Sequence, residues 1–309
     1  MNNNFTINPY NKVLIIGNGF DLDLGLATRY SDFASQSDFF KVFFLSSELH
    51  RHLQNASTNE KWLDMELELE KYAQREESSY SYSSDYYVDK DRAAFVQLKQ
   101  DLTNYLIQEQ EKQLNKDSLA AKLLKAVCNC GLFKSIYSFN YTDLFLFAEK
   151  LGIDSHFLDI YNVHGSLKKN DIILGVREGA ELKPGYDFLR KSFSQNYSSY
   201  PIPYDLQEAG EVVFFGHSLS PNDYHYFSYF FERQCDESMK RTDAKRITFF
   251  TYDENSAIDI KRQLWEMNKH RTDRLFTQND VIFIYTKNPD ESAYNALFDS
   301  WIENAEVPL

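Results

Sequence analysis

The sequence predicts an α/β protein built on a doubly wound, mostly parallel sheet that is interrupted by a helical insertion. Three observations predict it. Short apolar runs alternate with helical stretches from residue 132 onward. The stretch between about residues 34 and 127 is instead rich in Glu, Gln, Lys, Leu and Ser at helical spacing. Four apolar runs end in polar, glycine-rich or amide-rich corners. These are Val13-Leu14-Ile15-Ile16 before Gly17-Asn18-Gly19-Phe20-Asp21, and Ser135-Ile136-Tyr137-Ser138-Phe139 before Asn140-Tyr141-Thr142. The others are Ile160-Tyr161-Asn162-Val163 before His164-Gly165-Ser166, and Val212-Val213-Phe214-Phe215 before Gly216-His217-Ser218. In an open, Rossmann-like α/β sheet the ligand lies outside the carboxyl ends of the parallel strands. Four such corners predict one nucleotide-sized site.

The elements follow in order. Residues 12–26 read as strand, tight turn and helix start, with Leu22, Leu24 and Leu26 continuing the apolar signal. In the insertion, Phe95, Leu98, Leu102, Tyr105 and Leu106 recur at helical spacing, and Leu119, Leu123 and Leu124 follow a turn at Asn115-Lys116-Asp117. The run Ser78-Ser79-Tyr80-Ser81-Tyr82-Ser83-Ser84 reads as a polar loop. A helix from Leu144 is stopped by Gly152 at C′. Lys168-Lys169-Asn170-Asp171 reads as a hairpin turn before a strand at Ile172-Ile173-Leu174. The aromatic stretch 183–205, with Pro184, Pro201 and Pro203, has no period and reads as a long binding loop or lid. Strands at 212–215, 247–251 and 281–285 alternate with helices starting near Asn222, Asn255 and Asp290. There is no internal repeat. These readings assign residues 1–40 and 128–309 to a nucleotide-binding α/β domain and 41–127 to a helical insertion.

Composition narrows the function. The 309 residues include 21 Tyr and 25 Phe, enough for a large aromatic core and aromatic binding loops. A net charge of −13 disfavours nucleic acid and anionic membranes as partners. The densest basic cluster, Lys240-Arg241 with Lys245-Arg246, reads as the solvated start of a strand. The 3 cysteines (Cys128, Cys130, Cys235) argue for a reducing compartment and are too few for a four-cysteine zinc site. No basic start precedes an apolar run at Met1-Asn2-Asn3-Asn4-Phe5, and no apolar run approaches the roughly 20 residues of a membrane span. The expectation is a soluble, cytoplasmic protein without a metal.

Each motif has a chemical and a plainer reading. Gly17-Asn18-Gly19 lets backbone approach a phosphate, or it is a simple strand–helix turn; Leu22 replaces the third glycine of a dinucleotide fingerprint, and Asp21 and Asp23 are awkward phosphate neighbours. Asn140 can orient a ribose hydroxyl or a water, or it is an Asx turn or helix cap. His164, before Gly165-Ser166, suits a general base, or it is structural. Gly216-His217-Ser218 with Asp223 can contact phosphate or ribose, or Asn222 or Asp223 simply caps a helix. Thr251-Tyr252-Asp253 could meet a nucleoside in the same way. Asp64, Glu66, Glu68 and Glu70 read as a solvated acidic face, with a metal or acid–base pair at Glu66 and Glu70 as the sharper alternative. No HExxH, GxSxG or P-loop pattern is present.

Taken together, several motifs resemble the bacteriophage abortive-infection AbiH family over nearly the whole chain. They are Gly17-Asn18-Gly19-Phe20-Asp21-Leu22 with Gly25-Leu26, Tyr30-Ser31-Asp32-Phe33, Trp62-Leu63-Asp64-Met65-Glu66, Ser138-Phe139-Asn140-Tyr141-Thr142, His164-Gly165, and Gly216-His217-Ser218-Leu219 with Asp223. That family is in turn similar to sirtuin-like NAD-binding domains. The resemblance implies that the turn of Gly17, Asn18, Gly19, Phe20 and Asp21 holds NAD. It also implies that Asn140 and His164 act on the nicotinamide ribose and that Gly216, His217, Ser218 and Asp223 line the site. Asn18 and Asp21 depart from the sirtuin-like pattern, His217 is an added imidazole, and the zinc module of sirtuin deacylases is missing, which argues against peptide deacylation.

The resulting expectation is an antiphage protein that binds NAD or a related nucleotide and hydrolyses its N-glycosidic bond, with a phage protein as trigger and the insertion covering the site or mediating homo-oligomers. A non-catalytic nucleotide or phage-protein sensor is the alternative, and a nuclease-type toxin using Glu66 is the third reading.

Overall fold

The computed structural model describes residues 11–41, 47–59, 64–74, 85–155 and 158–305. The N-terminal residues Met1-Asn2-Asn3-Asn4-Phe5, Trp62 and the run from Ser78 to Ser84 lie outside them. The described strands are β1 (Lys12–Ile16), β2 (Phe133–Ser138), β3 (Ile160–Asn162), β4 (Glu211–Phe215), β5 (Arg246–Thr251) and β6 (Asp280–Tyr285). All neighbours pair in parallel, in the order β3-β2-β1-β4-β5-β6. This is a doubly wound order whose direction reverses between β1 and β4, the place where such sheets bind ligands. The registers Ile16↔Ser138, Ile16↔Phe215 and Ser138↔Asn162 bring the carboxyl ends of β1, β2, β3 and β4 level.

Both faces of the sheet are covered, which is why β1 and β4 are continuous apolar runs apart from Lys12 and Glu211 at their starts. Those two buried side chains form an ion pair, and Trp301 Nε1–H donates to the other Glu211 oxygen at 3.0 Å. The helices before β2 are α1 (Gly19–Asp23), α2 (Tyr30–Gln36), α3 (Glu48–Asn59), α4 (Met65–Ala73), α5 (Asp85–Gln110) and α6 (Leu119–Cys130). After β2 come α7 (Leu144–Leu151), α8 (Ile202–Glu208), α9 (Tyr224–Arg233), α10 (Glu254–Met267), α11 (Thr272–Gln278) and α12 (Glu291–Ala305). One core joins Leu14, Ile16, Val213 and Phe215 to apolar residues of α6 and α12. A second joins Val13, Ile15, Val212 and Phe214 to α8, α9 and α10 on the other face. The alternation is the two-residue period of a strand read on two buried faces. Stacked rings cross the sheet: Phe214 on Phe249 at 5.0 Å, Phe249 on Phe283 at 5.1 Å and Phe215 on Phe250 at 5.1 Å.

The third core lies at the carboxyl end of the sheet. Helices α3, α4 and α5 bury Leu49, Leu53, Met65, Leu69, Phe95, Leu98 and Leu102 against Leu167, Ile172, Leu174, Val176 and Leu189. The insertion is thereby clamped onto residues 167–189, and α4 faces the strand ends. Local signals set the ends: Ser118 caps α6 and Asp143 caps α7, each accepting a backbone N–H, while Gly131 and Gly152 close the same helices in the left-handed region.

One expected strand does not form. Ile172, Ile173 and Leu174 are buried but unpaired as a strand; Ile173 N–H donates to His164 O at 2.7 Å, and the segment packs into the third core. Apolar burial under the insertion replaces the hairpin ladder. The long loop at 183–205 also carries more structure than expected: 3₁₀ turns at Asp187–Leu189 and Lys191–Phe193, then the start of α8.

Candidate functional site

The strand-end corners converge. A cavity of about 580 Å³ is lined by Gly17, Asn18 and Gly19, by Asn140 and Tyr141, by His164, and by Gly216, His217 and Ser218. Thr251 and Tyr252 close one side, and Asp64 and Glu66 of the α4 start close another. The volume lies in the range of small-molecule and cofactor sites.

At the turn after β1 the glycines answer first to packing. A Cβ on Gly17 would meet His217 Cα at 2.6 Å, and one on Gly19 would meet Gly216 Cα at 2.5 Å. Gly17 N–H donates to Phe215 O at 3.0 Å, Gly19 N–H to Gly216 O at 2.9 Å, and Phe20 N–H to Gly17 O at 3.0 Å. Three donors that a phosphate cradle would use are thus occupied within the protein. Phe20 points into the core, edge-on to Phe215 at 5.3 Å, and does not line the cavity. Asp21, 1% exposed, also sits behind the lining. Its two oxygens accept from Asn140 Nδ2–H and Thr142 Oγ–H, each at 2.8 Å.

Asn140 Nδ2 also donates to Gly17 O at 3.1 Å, so this side chain fastens the end of β2 to the turn after β1. Burial pushes the Asp21 carboxyl up to about 7, against the pull of the Thr142 and Asn140 hydrogen bonds. The sign follows. The folded chain holds a proton on Asp21 that the unfolded chain releases at lower pH, so this group's stabilisation is full below the unfolded carboxyl range and is lost as pH rises through about 7. In Asp21→Asn the amide oxygen still accepts from Asn140 and the amide nitrogen donates to Thr142 Oγ, reversing that bond; the variant is expected to gain on the wild type by on the order of 2 kcal/mol between pH 5 and pH 8. Urea melts of both proteins across that range check it.

The chemistry-bearing cluster lies deeper. Asp223, from the 3₁₀ turn before α9, lies 3.2 Å from His164 Nε2 and 3.6 Å from His217 Nε2. Lys191 Nζ sits 2.8 Å from Glu66 Oε2, 3.3 Å from His164 Nε2 and 3.8 Å from Asp223 Oδ1. Asn222 Nδ2–H donates to Glu66 at 3.2 Å. The Phe139 ring backs both imidazoles, at 5.3 Å from His164 and 4.4 Å from His217. The turn carrying this cluster uses left-handed backbone twice: Gly216 at φ +61°, which glycine adopts freely, and Leu219, a buried non-glycine residue strained at φ +53°.

Burial sets the protonation states. It holds His217 down at about 4, opposed by Asp223. His217 Nδ1 accepts from Leu219 N–H at 3.0 Å, so the proton of the neutral ring sits on Nε2, facing Asp223. Burial and then the Lys191 ammonium also lower His164, which stays neutral. Its Nε2 lies between Asp223 Oδ1 at 3.2 Å and Lys191 Nζ at 3.3 Å; in the tautomer whose Nε2–H donates to Asp223, Nδ1 is the basic nitrogen. Burial pushes Glu66 up to about 7 despite Lys191. For Asp223 the same burial is outweighed by Lys191 and the two imidazoles, and its carboxyl is held below the usual range. Lys191, which burial alone would depress, is raised by Glu66 and Asp223. Two carboxyls pushed in opposite directions around one cation form an acid–base arrangement.

His164, His217 and Asp223 were legible as candidates; Lys191 was not, since it lies in an aperiodic stretch. Glu66, Glu68 and Glu70 correct the reading of a solvated acidic face. Glu66 pairs with Lys191, Glu68 with His52 and Lys71, and Glu70 with Arg177. The lining carboxyl groups of Asp23, Asp64, Glu66, Asp223 and Asp259 outnumber the one lining Lys or Arg, Arg29, and Lys191 lies behind Glu66 and Asp223. Ser218 and Asn18 are exposed at the rim, where Asn18 Oδ1 accepts from Thr28 Oγ–H at 2.5 Å. No helix among the described residues is long and apolar enough to cross a membrane.

A family model described as bacteriophage abortive infection AbiH matches residues 13–243, a span that contains all four corners and the Glu66–Lys191–Asp223 cluster. No curated protein and no solved structure matches the chain.

Proposed function

The chain belongs to the AbiH family, whose membership supports an antiphage abortive-infection role, and from that premise we propose that its crevice binds NAD or a related nucleotide and hydrolyses the N-glycosidic bond. The observation that carries this reading is the neutral His164 held against Asp223 in a cavity at the β1/β4 switch point. Asp223 fixes the ring so that His164 Nδ1 takes a proton from the attacking water. The carboxylate-rich walls favour the positive charge that develops on the ribose as the base departs. The same walls repel phosphate, so the phosphates lie toward the rim at Arg29 and the sugar and base enter first.

The resemblance of the sequence motifs to sirtuin-like domains supports placing Asn140 and His164 in one working site, with His164 as the base. The Asn140 donors already hold the Gly17 turn and Asp21, and its carbonyl oxygen is left for a ribose hydroxyl. The start of α4 supplies Asp64 and Glu66 to the lining, which supports an insertion that covers the site.

The test is release of nicotinamide from NAD by the purified chain, alone and with lysate of phage-infected cells. His164→Ala is expected to lower release by about 10²–10⁴-fold; it also removes a buried partner of Asp223 and lowers the melting temperature, so retained stabilisation by NAD is the control that the variant still folds and binds. Ligand-dependent stabilisation without any product would replace the enzyme by the nucleotide sensor. Metal-dependent nucleic-acid cleavage lost in Glu66→Ala would favour the nuclease-type toxin.

A further inference from the structure

The Glu66 carboxyl has no part in activating water, yet it faces the same cavity from the opposite layer. It comes from the first turn of α4, in the insertion, whereas His164 and Asp223 come from the strand ends. Its side chain is 12% exposed, and it is tied to the His164–Asp223 pair through Lys191. A carboxylate that served only to neutralise Lys191 would duplicate Asp223, which lies 3.8 Å from the same ammonium. We propose that Glu66 is the proton donor to the departing base, and that the site therefore takes N-glycosides whose base must be protonated to leave, the purine nucleosides and nucleotides. This rests on the base-cleaving reading above and narrows its substrate class.

Water adds its oxygen to C1′ and gives a proton to His164 Nδ1. The C1′–N9 bond breaks and its electron pair goes to the purine. Glu66 passes its proton to a purine ring nitrogen, so the base leaves neutral. The proton on His164 then returns to Glu66 through solvent. The pyridinium of NAD needs no such donor, because breaking its bond to ribose gives neutral nicotinamide directly. The groups facing Glu66 are Lys191, Asp223, Asp64, Tyr30 and Tyr141. Burial outweighs the one cation among them and keeps a proton on Glu66 up to about 7.

The experiment compares adenine release from adenosine 5′-monophosphate with nicotinamide release from NAD, using the full chain and Glu66→Gln, which keeps the side-chain shape and cannot donate an acidic proton. The expected result is a loss of adenine release of about 100-fold or more, at least about tenfold greater than any loss of nicotinamide release. In the wild type, adenine release should fall as pH rises through about 7, and nicotinamide release should not; this profile decides the matter even if the variant fails to fold. Equal losses on both substrates, or no loss on either, would overturn the role of Glu66 while leaving base cleavage in place. Nicotinamide release without adenine release from the wild type would overturn the substrate class. Release of neither base by the wild type would overturn this inference together with the reading on which it rests.

Discussion

Gly216→Ala is expected to cost about 3–5 kcal/mol of stability, near the upper end for a single substitution. Two effects add. At φ +61° an L-residue pays about 1 kcal/mol for the left-handed region. The added Cβ would also lie 2.4 Å from Gly19 Cα and 2.6 Å from Phe20 N. These are backbone atoms of a turn held by the Gly19 N–H bond to Gly216 O, so they cannot yield as a side-chain tip does. The corners of β1 and β4 must part, and the cavity floor parts with them. Gly152→Ala is the control: its φ is +71°, but nothing lies within 4 Å of the added carbon, so about 1 kcal/mol is expected. Urea unfolding of the two variants separates clash from backbone strain; equal losses would remove the packing argument for the switch point.

Lys191→Met is expected to cost about 3–5 kcal/mol at pH 8, because it leaves Glu66 and Asp223 buried without their shared cation. The loss should depend on pH. Without Lys191, which lowers Glu66, the folded carboxyl rises further above its unfolded value. Folding then takes up a proton, so stability is retained below the unfolded carboxyl range and falls as pH rises through the folded one. The deficit relative to wild type should therefore be smaller at pH 5.5 than at pH 8. A deficit that does not change with pH, measured by thermal or urea melts, would mean that Lys191 contributes packing and not charge.

The sheet was legible because its strands are apolar runs with polar stops. Residues 13–16, 212–215 and 247–251 each lie within an observed strand, and the helices after β4, β5 and β6 begin within two residues of their cap signals. The convergence of the corners was legible too, since it follows from parallel strands alone. The hairpin at Ile172 was misread because three apolar residues after a turn look the same whether they pair or pack. The working cluster was only half legible. Spacing on α4 shows that Glu66 and Glu70 share a face, but not that the face is buried against residues 167–191. Lys191 carries no local signal, and its partners are distant in sequence. The same holds for Gly17 and Gly19, where the close approach of Gly216 and His217 across the sheet already requires glycine.

A nucleotide is expected to occupy the crevice between the strand ends and the insertion, and hydrogen–deuterium exchange of the purified chain with and without NAD reads that occupancy. Slower exchange is expected on binding at 17–23, 138–142, 162–166 and 215–223, at 64–67, where the start of α4 lines the cavity, and at 187–193, where Lys191 pairs with Glu66. Protection confined to the opposite, amino-terminal end of the strands, around 207–210 and 242–245, would contradict it.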